Sequence, residues 1–346
     1  ISPRYFLADS RNTSRSVIAE SWHPPFLEFM PSRRFLSRPL TTTHLELSPS
    51  RNIRYITPNK RQQETEIKMN DTEKFLFDLN GYLKVPALLN DDEVKALNAA
   101  FDANDDQRGE DGNHNPGDGD ALQGKRRGIF HGMLEWEQPH SLPFRALLAH
   151  RKIVPYLDTL LGRGWKMDHS PFMLCGDKGS EGLILHGSTA RHFNGSQHYT
   201  YGNDQMRCGM IVCSFQLADV NEGDGGFCCI PGSHKANFPL PKDIRNWEAH
   251  HEIVYNIPCN AGDMVIFNEA TLHGTLPWQG ERERRSLLYR YSPKFLHFAG
   301  GTYETSQPAW VSELTEAQQA VLEPPYIYDR PLIEEDGETV ARPRVG

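Results

Sequence analysis

The segment GMIVCSFQLADVNEGDGGFCCIPGSH, residues 209–234, decides the fold class of this chain. It holds two short apolar runs, MIVCSFQL and GFCC, and the stretch between them is rich in Asn, Asp and Gly, which favour turns. Similar runs, each bounded by Gly, Asp, Asn or Pro, recur from about residue 165 to residue 297. Several short strands at such close spacing predict an all-β sandwich or barrel.

Helical patterns precede this β-rich region. Asn90 is followed by three acidic residues and then by apolar residues at helical spacing, which predicts a helix that begins after Asn90. Residues 141–162 show helical spacing again, whereas residues 102–128 are rich in Asp, Gly and Asn and are interpreted as one long loop. We therefore expect a mainly β fold with flanking α-helices.

Composition divides the chain into three parts. Residues 1–68 carry many Arg, Ser and Thr residues and few acids, which predicts a basic extension that is either disordered or a targeting leader. Residues 69–300 are expected to form the main domain, and residues 301–346 a tail with one short helix that packs on it. The expected location is the cytoplasm, or a mitochondrion or other organelle if the first part is a transit peptide.

Charge and cysteine usage exclude several classes of protein. The formal net charge of -8 argues against a nucleic-acid binder. No apolar run is long enough to predict a membrane-spanning helix. The six cysteines lack zinc-site spacing and are expected to be reduced and buried. The sequence does not indicate an oligomeric state.

Two histidines stand at the ends of apolar runs and directly before glycines. His186 ends the run GLIL and precedes Gly187, and His273 precedes Gly274. A histidine in this position can turn its ring into the mouth of a barrel, because the glycine lets the backbone bend. Imidazole suits iron, and two histidines with one carboxylate leave positions open for an oxidant and a cosubstrate. The pattern predicts a metal site.

An arginine pair follows the second histidine. Arg284 and Arg285 open the run RRSLLYRYSP, eleven and twelve residues after His273. A buried guanidinium beside a metal can bind a carboxylate with two hydrogen bonds. The alternative is a salt bridge on a barrel strand.

Three segments resemble the phytanoyl-CoA dioxygenase family, and they occur in the family's order. They are GYLKVPALLNDDEV (residues 81–94), LADVNEGDGGFCCIPGSHK (217–235) and AGDMVIFNEATLHGTLPW (261–278) followed by RRSLLY. The resemblance implies a double-stranded β-helix, a jelly-roll, cupin-like core. It also implies the use of Fe(II), the cosubstrate 2-oxoglutarate and O2.

The resemblance also implies individual roles. His273 matches the distal iron ligand, and Arg284 matches the arginine that binds the far carboxylate of 2-oxoglutarate. Thr275 matches a small hydroxyl residue that assists this arginine, and Arg285 takes its place if the register differs by one residue. His234 of the PGSH motif is expected to be structural.

The chain departs from the family at the proximal iron motif, which is usually His-x-Asp. No His-x-Asp or His-x-Glu occurs between residues 165 and 215. The preferred match is His186, which puts Ser188, a poor iron ligand, at the acid position. His192 and His198 are the alternatives for the proximal histidine.

Three explanations of the missing carboxylate stay open. Glu269 or Asp204 can supply it; on a straight strand Glu269 and His273 would be about 13 Å apart at roughly 3.3 Å per residue, but a turn would bring them together. The position can instead be open to a halide, as in related halogenases. The third explanation is a site that binds no iron.

The expected function is that of a dioxygenase that hydroxylates an unactivated C–H bond of a small organic substrate. The alternatives are a 2-oxoglutarate-dependent halogenase, a non-catalytic barrel that serves as a binding module, and a cupin-like metal enzyme without 2-oxoglutarate. A basic run at residues 125–127 borders the long loop. We interpret it as solvated rather than as a site for the phosphates of coenzyme A.

Overall fold

The computed structural model describes residues 68–111, 119–187, 195–298 and 308–343. Residues 62–346 form one compact unit, to which all of these belong. The predicted extension lies outside the described residues except for Lys68, as do Ser188 and His192.

Six α-helices occur in the described part of the chain: α1 (Asp71–Asn80), α2 (Asp91–Ala103), α3 (Leu142–Leu147), α4 (Val154–Leu161), α5 (Lys242–Arg245) and α6 (Glu316–Leu322). The predicted start of α2 is confirmed. The Asn90 side chain accepts a hydrogen bond from the Glu93 amide, and the Glu93 carboxylate accepts one from the Asn90 amide, at 3.0 and 2.8 Å. This capping box satisfies two backbone donors that the first turn leaves unpaired.

The strands in the described residues are β1 (Tyr82–Val85), β2 (Gly109–Asp111), β3 (Arg127–Phe130), β4 (Lys166–Met167), β5 (Phe172–Gly176), β6 (Leu183–His186), β7 (Tyr199–Gly202), β8 (Gln205–Cys208), β9 (Ile211–Gln216), β10 (Gly226–Cys229), β11 (Tyr255–Asn256), β12 (Met264–Asn268), β13 (His273–Leu276), β14 (Arg284–Ser292), β15 (Leu332–Ile333) and β16 (Val340–Ala341).

Two antiparallel sheets build the core. The larger has the order β1-β12-β9-β14-β5-β3-β2, with β4 also paired to β14, and the smaller has the order β11-β10-β13-β6. Hairpins β7–β8 and β15–β16 stand apart from both sheets. The non-sequential strand order shows that the chain crosses between the sheets repeatedly. The predicted double-stranded β-helix is confirmed.

Alternation along the strands of the larger sheet separates two apolar layers. On β14, Leu287 and Tyr289 join the core beneath the helices, whereas Leu288 joins the core between the sheets. On β9, Cys213 faces the helices and Val212 faces the smaller sheet. Successive side chains of a strand point to opposite faces, so each strand serves both layers.

The structure corrects two local predictions. Residues 102–128 are not one loop, because β2 and the start of β3 lie within them and pair with each other. The helical stretch 141–162 is divided into α3 and α4. The expectation for the cysteines holds, because all six are buried and free. No helix of the described residues is long and apolar enough to cross a membrane.

Candidate active site

A cavity of about 220 Å³ lies between the two sheets. Its walls are mainly apolar, with Phe172 and Leu288 from the larger sheet and Phe227 from the smaller one, and a few histidine and arginine side chains interrupt them. This composition is typical of small-molecule sites. A larger cavity of about 640 Å³ lies beside α1, α4 and the β7–β8 hairpin. It contains neither predicted histidine, so the cavity between the sheets is the candidate site.

The two predicted histidines meet at this cavity. His186 at the end of β6 stands opposite His273 at the start of β13, and their ring centroids are 4.2 Å apart. Thr275, two residues further on, pairs with Leu183 rather than with Ile184, so the register shifts between the two pairs. A β-bulge of this kind re-aims side chains. It brings both Leu183 and His186 to the cavity, although they are three positions apart and would face opposite sides of a regular strand.

Backbone carbonyls orient both imidazoles. The Nδ1 atom of His273 lies 2.7 Å from the carbonyl oxygen of Thr271, and that of His186 lies 3.0 Å from the oxygen of Ile184. A carbonyl can only accept, so each Nδ1 carries a proton, and Nε2 is the atom that holds the lone pair in the neutral form of each ring. Burial, together with the neighbouring His186, lowers the pKa of His273 to about 4, so its ring is neutral near pH 7. Histidines that bind metals are commonly held in this way.

Glu269 lies close to this pair, because the residues between β12 and β13 form a turn. The Thr271 amide donates to the carbonyl oxygen of Asn268 at 2.8 Å, and the Oε2 atom of Glu269 lies 3.8 Å from Nε2 of His273. Its Oε1 atom accepts a hydrogen bond from Nε of Arg290 at 3.2 Å. The long separation that a straight strand would impose between Glu269 and His273 is therefore absent.

The Glu269 carboxylate is ionised despite its burial. Burial works to raise its pKa, but His273, Arg290 and His186 outweigh this effect and lower it. The carboxylate therefore stands beside Nε2 of His273.

Two glycines allow this close packing. A Cβ atom on Gly187, whose φ is +112°, would lie 2.6 Å from the carbonyl oxygen of Thr271, and one on Gly274 would lie 2.6 Å from that of Leu183. Real Cβ atoms do not approach backbone atoms so closely. The glycines after both histidines therefore bring backbone segments together, in addition to bending the chain.

The kinds of donor in the cavity, rather than their present spacing, suit a divalent iron ion. Within the described ranges, no group of three or more His, Cys, Asp or Glu side chains could hold a metal ion as it stands. Two donor atoms that each lie about 2.1 Å from one ion are at most about 4.2 Å apart, and the Glu269–His273 distance of 3.8 Å is within this limit. Two imidazoles and one carboxylate are the ligands that suit a non-haem iron with open positions.

Arg284 places a buried positive charge in the same cavity. Its side chain is 5% exposed, and its Nε donates to the Ser286 hydroxyl at 3.2 Å. No carboxylate among the described residues lies within ion-pair distance of it. Burial and the nearby Arg127 lower the pKa of Arg284 to about 10, which leaves it protonated at neutral pH. A buried charge without a counter-charge is costly, so the cavity favours an anionic ligand. Thr275 is buried and also lines it.

Arg127 lines the cavity, so the prediction that it is solvated is wrong. It is 3% exposed and donates through Nη2 to Asp111 at 2.8 Å, whereas its Nε and Nη1 atoms have no partner in the described structure. The expectation of a solvated run holds for Lys125 and Arg126, which are exposed, and Arg126 pairs with Glu110 at the surface. The residues around β3 have the composition of a loop, so the sequence did not predict this strand. Without the strand, the sequence could not show that the Arg127 side chain points inward.

Arg285 points away from the cavity, so it cannot replace Arg284. It lies on the helix-facing side of β14 and pairs with Asp102 of α2 at 2.7 Å and with Glu283 at 2.6 Å. The fallback assignment of Arg285 to 2-oxoglutarate is therefore wrong. The alternation of β14 decides between the two arginines.

Two further candidates also lie elsewhere. His198 precedes β7, and its Nδ1 atom is 2.9 Å from the carbonyl oxygen of Gly195. Asp204 lies in the turn of the β7–β8 hairpin and lines the larger cavity outside the sheets. Neither lines the histidine cavity. His234 is buried outside it as well, with Nε2 3.0 Å from the carbonyl oxygen of Asp78.

Comparisons with known proteins agree with this architecture. The sequence model of the phytanoyl-CoA dioxygenase family matches residues 77–286. HygX from Streptomyces hygroscopicus, solved with nickel and 2-oxoglutarate bound, is 22% identical with a TM-score of 0.53, over 66% of this chain and 88% of that chain. With hygromycin B also bound, the values are 20% and 0.54, over 66% and 89%. With iron bound, they are 22% and 0.51, over 66% and 89%. None of the curated proteins matches the chain.

The fold and the cavity define a double-stranded β-helix protein with a histidine pair at its mouth. Because the family match spans more than half of the sequence, the chain belongs to the phytanoyl-CoA dioxygenase family of enzymes. The resemblance found in the sequence is confirmed. At these identities, the likeness to HygX shows the fold.

Proposed function

We propose that this protein is an Fe(II)- and 2-oxoglutarate-dependent oxygenase that hydroxylates an unactivated C–H bond of a small organic molecule. One observation carries the proposal: a pair of carbonyl-anchored imidazoles shares a cavity with two buried arginines that lack sufficient counter-charge. The first feature suits a metal and the second suits a dicarboxylate. HygX, which has this fold, binds iron in one structure and 2-oxoglutarate in another.

Different residues of the cavity would bind the iron and the 2-oxoglutarate. His186, His273 and Glu269 would hold the iron. Arg284 would bind the far carboxylate of 2-oxoglutarate, with Arg127 as a second cation and the Thr275 hydroxyl beside it. When bound, iron supplies the redox chemistry by which O2 oxidises both 2-oxoglutarate and the substrate.

Aromatic side chains shield the site. The ring centroids of Phe267 and Phe227 lie 4.7 and 6.0 Å from that of His273. Such a wall excludes water and strengthens every electrostatic interaction inside the cavity. It also limits the substrate to what the remaining space admits.

Glu269 bears on the choice between hydroxylation and halogenation. A halogenase would need a position for a halide where a carboxylate normally binds. A carboxylate 3.8 Å from His273 supports the hydroxylase, whereas Ser188 at the usual acid position favours the halogenase. The buried arginines argue against a barrel without a ligand.

The test is the visible spectrum of the apo-protein mixed anaerobically with Fe(II) and 2-oxoglutarate. We expect a weak charge-transfer band, which arises when the keto acid chelates iron. It should be insensitive to chloride and absent from folded His273→Ala protein. A chloride-dependent shift would support the halogenase. A folded wild-type protein without the band would refute the proposal.

A further inference from the structure

Arg290 is a cavity residue that the proposed function leaves without a role. It lies on β14 six residues after Arg284, so it faces the same side of the sheet. Its Nε donates to Glu269 at 3.2 Å, its Nη1 lies 2.8 Å from Nε2 of His169, and its guanidinium carbon lies 4.7 Å from the centroid of the Phe172 ring. Three neighbours thus hold one side chain.

Only one assignment of donor and acceptor to the two ring nitrogens of His169 is consistent with their contacts. A guanidinium can only donate, so Nε2 of His169 must be the acceptor and Nδ1 must carry the proton. Nδ1 lies 2.9 Å from Oδ1 of Asp168, which accepts that proton, and Oδ2 accepts from the backbone amide of Phe298 at 2.9 Å. The Asp168 side chain is fully buried. A continuous series of hydrogen bonds therefore connects Asp168 through His169 to Arg290.

This series of hydrogen bonds ends at Glu269, the carboxylate of the proposed iron site. Arg290 engages Oε1 of Glu269, and Oε2 is the oxygen that lies 3.8 Å from Nε2 of His273. A glutamate on a turn has several rotatable bonds, so a fixed partner on one oxygen determines where the other oxygen points. Partners of this kind behind a metal ligand contribute strongly to metal affinity.

We propose that Arg290, held by His169 and Asp168, is a positioning residue that directs Glu269 to the metal. In this way a glutamate from the turn before β13 replaces the acid that the His-x-Asp motif would supply. The inference rests on the proposed function, because it presumes that His186 and His273 bind a metal.

The test uses Co(II) as a spectroscopic probe of the full chain without turnover. Co(II) affinity and the visible d–d spectrum are measured for wild type, Glu269→Gln, Arg290→Gln and Arg285→Gln. Arg285→Gln is the matched control, because it removes the same charge from the same strand on the opposite face. Circular dichroism and thermal unfolding of the metal-free proteins check the fold.

We expect Arg290→Gln to bind Co(II) roughly 10–100-fold more weakly than wild type, with a spectrum that matches Glu269→Gln. The control should keep the wild-type spectrum and affinity. If Arg290→Gln does not fold, His169→Ala should show a smaller loss and the same spectral change. Unchanged or tighter Co(II) binding by the folded variants, or a wild-type spectrum for Glu269→Gln, overturns the inference. A wild-type protein that binds no Co(II) instead refutes the proposed function.

Discussion

Replacement of Arg284 by glutamine should abolish tight binding of 2-oxoglutarate. The glutamine keeps a polar group at the start of β14 but removes the buried charge that faces the cavity. In the complex, Arg284 would be one half of a desolvated, hydrogen-bonded charge pair. Truncating one partner of such a pair costs about 2–5 kcal/mol, which corresponds to an affinity roughly 30- to 4,000-fold lower.

Arg285→Gln is the matched comparison for this prediction. Arg285 pairs with Asp102 and Glu283 on the helix-facing side of the strand, and its side chain is 18% exposed. We expect 2-oxoglutarate affinity within about twofold of wild type and a stability loss of at most about 1 kcal/mol.

Isothermal titration calorimetry measures both affinities, with Mn(II) in place of Fe(II) so that no turnover occurs. The reasoning fails if Arg284→Gln binds 2-oxoglutarate as tightly as wild type, or if Arg285→Gln loses the affinity instead. The second result would mean that the inward face of β14 has been assigned to the wrong residues.

Three further changes follow from the structure. Arg127→Gln should also weaken 2-oxoglutarate binding in the same calorimetric titration, but less than Arg284→Gln does, because Arg127 already has a partial counter-charge in Asp111; an unchanged affinity would exclude Arg127 from the ligand. Gly187→Ala should lower the free energy of unfolding by about 1–3 kcal/mol, because its Cβ would lie 2.6 Å from a backbone oxygen and its φ is +112°; urea denaturation measures this, and a neutral result would contradict the close packing. Asp158→Asn should flatten the pH dependence of stability. Burial raises the pKa of Asp158 from 3.8 to about 6, so its contribution is fully present below about pH 4 and is lost as the pH rises through about 6. Urea denaturation between pH 4 and 7 should therefore show a smaller decline for the variant than for wild type, and parallel curves would refute the assignment.

Local sequence patterns predicted much of the architecture. The apolar runs and turns of residues 165–297 indicated a β-rich core, and Asn90 indicated the start of α2, because strand alternation, turn chemistry and capping act over a few residues. His186 and His273 were found from their position at the ends of runs before glycine. The family motifs then supplied the role of Arg284.

Only the tertiary structure decided which polar side chains share the cavity. The alternation of β14 separates Arg284 from Arg285, but its phase depends on which face of the sheet the helices cover. Arg127 reaches the cavity because it lies on β3, although the residues around β3 resemble a loop in the sequence. This strand is held in the sheet by its pairing with β2 on one side and β5 on the other. Glu269 approaches His273 because the chain turns between β12 and β13, and Arg290 lies 21 residues further along the chain. Contacts between distant residues depend on register and packing, and local patterns do not encode either.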